Sequence, residues 1–180
     1  MHLPLRLPRI DVDALVIQHL FQPVVDWLGI DPERWAWKLY RAFVMTMVTA
    51  GAALATMGVE GILPMTPVDL YVGVPCMVFG SISMTHVLLR FPGYPPLQLI
   101  GPFFRLIMMG VAIHSLPVVI LSVVGEADMP SHVAGGHTPL IMRLMAFSLS
   151  LAFPLGAGSL YVRICRRPPP RPPRREFVSA

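Results

Sequence analysis

The 180 residues are 54% apolar and 13% charged, with a mean hydropathy of +0.64 and a formal net charge of +4. A soluble domain carries about a quarter of its residues as charges, so this composition excludes that class and leaves little chain for a second folded domain beside several membrane spans. Two cysteines, Cys76 in an apolar run and Cys165 beside a basic tail, exclude a disulfide framework and a CxxC redox pair.

The first segment, 1–41, does not read as a cleaved leader, because Asp11, Asp13, Asp26, Asp31 and Glu33 interrupt it where a leader is uncharged and apolar. Within it, 11–30 places Leu15, Val16, Leu20, Val24, Trp27 and Leu28 near helical spacing, with Pro23 between them. That pattern predicts an amphipathic helix lying in the membrane interface. Asp31-Pro32-Glu33 then supplies an N-cap, a proline at the first helical position and an acid in the first turn, so a new helix is expected to start there and run into the first span. Trp35, Trp37 and Tyr40 are expected as interface anchors, with quinone or pigment binding as their functional alternative.

Four apolar runs follow, at 42–63, 68–89, 103–124 and 140–162, each about 33 Å long as a helix and so able to cross a bilayer. Pro64 and Pro67, then the stretch 91–96, then 125–139 separate them. The fold expected is all-α, a polytopic membrane protein whose four-helix domain, 42–162, lies between the N-terminal segment and a Pro/Arg-rich tail, 163–180. Every lysine and arginine except Arg143 falls before the first span, around the second loop or after the fourth span, with Arg90 and Arg105 flanking that loop. Positive charge stays in the cytoplasm during insertion, so both termini are expected there. The excess of arginine over lysine suggests a bacterial inner membrane.

Inside the spans, Gly51 and Ala55 are four residues apart and are the best candidates for close helix packing, with Gly80 as a third; the small residues at 156–159 are contiguous and lack that spacing. Pro75, Pro117 and Pro154 are expected to kink their helices. Of the ionisable side chains within spans, His86 and His114 are the two suited to carry chemistry and the candidate ligands of a haem b. Their expected depths differ by about 10 Å, which argues against one iron held by both. His86 with Thr85 and Arg90 also suggests a headgroup or quinone site.

Other chemistry is sparse. Glu126, Asp128, His132 and His137 in the third loop are metal-ligand types without the HExxH spacing. No GxSxG, Walker or GxGxxG pattern is present, and all ten acids are placed at or beyond span ends. The tail lacks interleaved aromatics for stacking on nucleic acid, so its expected partner is the anionic membrane surface. The expected function is a non-enzymatic integral subunit of a larger membrane complex, without cofactor, contacting lipids and other membrane subunits. A haem- or quinone-binding anchor and a small channel or transporter are the alternatives.

Overall fold

A computed structural model of the chain describes residues 12–92, 94–124 and 140–167. Described residues form no strand; the elements are α1 (Val12–Val16), α2 (Gln22–Leu28), α3 (Pro32–Val59), α4 (Val74–Arg90), α5 (Pro95–Val124) and α6 (Leu140–Ile164). π-helical turns at Ile17–Phe21 and Asp69–Gly73 lead into α2 and α4. Among the described residues, four helices are long and apolar enough to cross a membrane: Pro32–Val59, Asp69–Arg90, Pro95–Ser115 and Ile141–Ile164.

Local chemistry accounts for the boundaries. The Asp31 carboxylate accepts from the Glu33 backbone N–H at 3.2 Å, so α3 starts where the Asp-Pro-Glu sequence indicates and runs unbroken for 28 residues. Gly29 adopts φ 61° and ends α2 in the left-handed conformation that a glycine takes without a Cβ clash. Before α4, the Thr66 backbone N–H donates to Asp69 Oδ2 at 3.0 Å and the Asp69 N–H donates back to Thr66 Oγ1 at 3.1 Å, a reciprocal cap around Pro67.

Each π turn ends two residues before a proline, Pro23 and Pro75 respectively. A proline has no N–H to offer the carbonyl four residues earlier, and a widened turn with an i→i−5 bond re-pairs the backbone around that gap. The Gln22 N–H bonds to the Ile17 carbonyl, and the Val74 N–H to that of Asp69. Pro154 is handled differently, inside a continuous α6. It leaves the Ser150 carbonyl without its intrahelical partner, and the Ser115 hydroxyl of α5 lies 3.0 Å from that oxygen. One helix thus completes the backbone of another.

The third span departs from expectation at its start. The expected boundary was residue 103, but α5 begins at Pro95, carrying Pro102 and Arg105 inside the helix. Pro95 and Pro96 fit a first turn that needs no N–H, and Arg105 is neutralised in place by a partner described below.

The helices α3 and α6 share the most extensive interface, with α5 on α6 and α4 on α3. Small residues set their separation. A Cβ at Gly156 would stand 3.0 Å from Phe43 of α3 and 2.5 Å from Met108 of α5. Ala36, Ala50, Ala53, Ala152 and Ala157 are also buried. Gly51 fits against Val78 of α4, where a Cβ would come within 2.5 Å, and Ala55, one turn on, is partly buried. Gly80 has nothing within 4 Å of its Cβ position. Glu33 with Arg163, at 3.3 Å, brings the start of α3 and the end of α6 together at one end of the bundle, here the basic end.

Replacing Gly156 by Leu should lower stability by about 1–3 kcal/mol through overpacking, read as a fall in the detergent melting temperature. Gly80→Leu in the same measurement should leave it unchanged, since its side of α4 is open.

Candidate functional site

The chemically distinctive place in the structure lies at the basic end, where the N-terminal segment crosses α5 and α6. Asp13, in α1, is buried and forms a bidentate ion pair with Arg105 of α5: Nε donates to Oδ1 at 3.1 Å and Nη2 donates to Oδ2. The two side chains retain 7% and 14% of their exposure. An unpaired arginine inside a span is costly, and a planar two-bond partner is the arrangement that lowers the cost most.

Aromatic rings seat the pair. Tyr161 of α6, fully buried, stacks on Phe21 with ring centroids 4.8 Å apart and lies 5.9 Å from the Arg105 guanidinium carbon. Its hydroxyl is close enough to Asp13 to feel the carboxylate but completes no hydrogen bond among the described residues. Farther along the segment, Gln22 exchanges two bonds with the Arg166 backbone, accepting from its N–H at 2.9 Å and donating to its carbonyl at 3.2 Å. The segment is therefore fastened at both ends.

Its packing face differs from the apolar pattern of the sequence. Asp13 and Val25 are buried and Val16, Ile17 and Phe21 partly buried, whereas Leu15, Leu20, Val24, Trp27 and Leu28 remain exposed. Beneath the segment, Cys165 joins the core cluster of Val25, Ala36 and Leu89. Burial pushes its thiol up to about 11, with the Asp26 carboxylate adding to the shift.

Two crevices flank Ile164 at this end. One, of about 180 Å³, lies among α4, α5 and α6 and includes Arg105 and Arg163 in its wall. The other, of about 350 Å³, lies between the N-terminal segment and the end of α6, lined by Ile17, Gln18, Gln22 and Arg166.

The residues singled out in the sequence are dispersed. His86 is partly buried on the α3 side of α4, its ring 5.6 Å from both Trp37 and Tyr40. His114 is exposed on α5, so the two histidines occupy different surfaces. Trp35 is exposed and carries Lys38 Nζ 4.6 Å above its ring. No group of three metal-ligating side chains occurs among the described residues, and Glu126, Asp128, His132 and His137 lie outside them, as do Arg171, Arg174 and Arg175 of the tail.

No family model, curated protein or solved structure matches the chain.

Sequence reasoning gave no site role to Asp13, Arg105 or Tyr161, and it placed Ser115 against backbone near Pro117, not against the Ser150 carbonyl of α6. Arg105 was expected to flank the second loop, and Asp13 was read only as one of the acids before the first span; the structure joins them in one buried pair. The available signal was complementary: one acid between Val12 and Ala14, with Asp11 two residues before it, and one base alone among Phe103, Phe104, Leu106 and Ile107.

Removing one member of a buried pair leaves the other charge uncompensated, at a cost of about 3–5 kcal/mol. Asp13→Ala should accordingly release the segment. In a Cys76→Ser background, Cys165 should then react with a thiol reagent at neutral pH at least tenfold faster than in the parent, because reaction requires an accessible thiolate. Adding Arg105→Met, which removes the orphaned charge, should recover most of the protection.

Proposed function

We infer that the chain is a non-enzymatic integral subunit of a larger membrane assembly, held in a bacterial inner membrane with both termini in the cytoplasm. The observation that carries this reading is the outer face of α5, which no described residue covers. Leu99, Phe103, Ile107 and Ile113 are exposed along it, and so are Gly110 and His114, four residues apart. Lipid accepts the apolar side chains, but a histidine within a span favours a polar partner, and a glycine one turn before it allows another helix to come close.

A second face supports the same reading. Gly73, Cys76, Gly80 and Ser83 are all exposed on one side of α4, at the spacing of a helix contact surface, while the neighbouring Phe79 projects outward. The exposed apolar residues of 11–30 suit an interfacial amphipathic segment on the cytoplasmic surface. The arginines around it suit the same side by the retention of positive charge.

Affinity purification from native membranes in mild detergent tests the proposal. Defined partner subunits should co-purify with the wild type and be lost with Gly80→Leu or His114→Leu, with no Soret absorption in the sample. A chain recovered alone would contradict it, and a Soret band lost on replacing His86 or His114 would establish a haem-binding anchor instead.

A further inference from the structure

We propose that the crevice among α4, α5 and α6 at the basic end holds the headgroup of an anionic phospholipid from the adjoining leaflet. Its wall is divided in the way an amphipathic ligand requires. Leu88, Leu97, Leu160 and Ile164 supply apolar surface, and Arg105 and Arg163 supply guanidinium donors.

The arginine chemistry gives the crevice its anion preference. Asp13 occupies Nε and Nη2 of Arg105, and Nη1 has no hydrogen bond to the described residues. Nη1 lies beside Gly101, where a Cβ would come within 3.3 Å, so the glycine leaves room for the guanidinium at this position. The Arg105 side chain keeps 14% of its exposure and lies in the crevice wall, so this nitrogen is open to a ligand there. A phosphate oxygen would complete it with a charge-assisted bond.

Charge balance points the same way. Arg163 donates to the Leu89 carbonyl at 3.4 Å and pairs with Glu33 at 3.3 Å, so its head is held at the crevice rather than swinging into solvent. Arg166 lines the adjoining crevice across Ile164. Arg90, at the end of α4, has no acidic partner among the described residues. Asp13 and Glu33 pair with the two arginines of the wall, and Arg90 and Arg166 beside it have no acidic partner among the described residues, so the surroundings of the crevice carry positive charge that favours a phosphatidylglycerol-type headgroup over a zwitterionic one. The volume of about 180 Å³ accommodates a phosphate with its glycerol carbons, with the acyl chains left to run along the exposed side of α5.

Native mass spectrometry of the purified full-length chain, equilibrated with equal amounts of phosphatidylglycerol and phosphatidylcholine, tests the site. The wild type should retain phosphatidylglycerol at least tenfold over phosphatidylcholine. Arg163→Gln, and Leu97→Trp, which fills the crevice without altering charge, should each abolish the preference. Arg163→Lys should keep most of it, and Arg34→Gln, which removes an exposed cation outside the crevice, should leave it intact. Equal retention of the two lipids by the wild type would overturn the proposal. So would a loss in Arg34→Gln matching that in Arg163→Gln, because the attraction would then belong to the basic surface as a whole.

Discussion

Close approach of α3 and α6 is the constraint to which the other elements conform. In lipid the hydrophobic effect gives helices little reason to associate, so contact depends on backbones coming near enough for dispersion and short polar bonds to act. Gly156 provides that approach at the point where Phe43 and Met108 converge, and the buried alanines extend it along both helices. Each outer helix then joins one member of the pair, α4 through Gly51 and α5 through the bond between Ser115 and the Ser150 carbonyl. The latter bond exists because Pro154 removed that carbonyl's own donor, so a local defect in one helix became the attachment point of another.

The ion pair of Asp13 and Arg105 extends the bundle beyond its four long helices. Arg105 would be a liability inside a span were it not neutralised, and its partner comes from more than ninety residues earlier in the chain. Stacking of Phe21 on Tyr161 and the exchange between Gln22 and Arg166 align the segment so that the carboxylate arrives in register. The consequence is a covered basic end, with Cys165 beneath the segment and two crevices beside it. Charge, packing and accessibility at this end are therefore coupled through one contact.

The parts of this architecture written in local sequence were legible. Run length and hydropathy located four helices able to cross a membrane, and Asp31-Pro32-Glu33 marked the start of α3 to the residue. Gly51, singled out by its spacing to Ala55, lies against Val78, whereas Gly156 carried no such spacing because it meets two different helices, Phe43 of α3 and Met108 of α5. The N-terminal segment misled for a related reason. Its exposed residues carry the strong apolar periodicity, and the face that meets the bundle uses an acid, a glutamine and an aromatic ring whose roles depend on partners distant in sequence. The start of α5 was displaced because Pro95 and Pro96 read as breakers, whereas a helix tolerates prolines in its first turn.

The subunit reading rests on which faces the fold leaves uncovered, and those faces are defined by the antiparallel seam of α3 and α6. Leu39 and Gly158 offer a direct test of that seam, since a Cβ at 158 would lie 3.6 Å from the Leu39 side chain. With Cys76 and Cys165 replaced by serine, cysteines placed at 39 and 158 should form an intramolecular crosslink in native membranes on mild oxidation or with a short thiol-to-thiol reagent. Failure to crosslink, or a crosslink only between two chains, would contradict the arrangement from which the account is built.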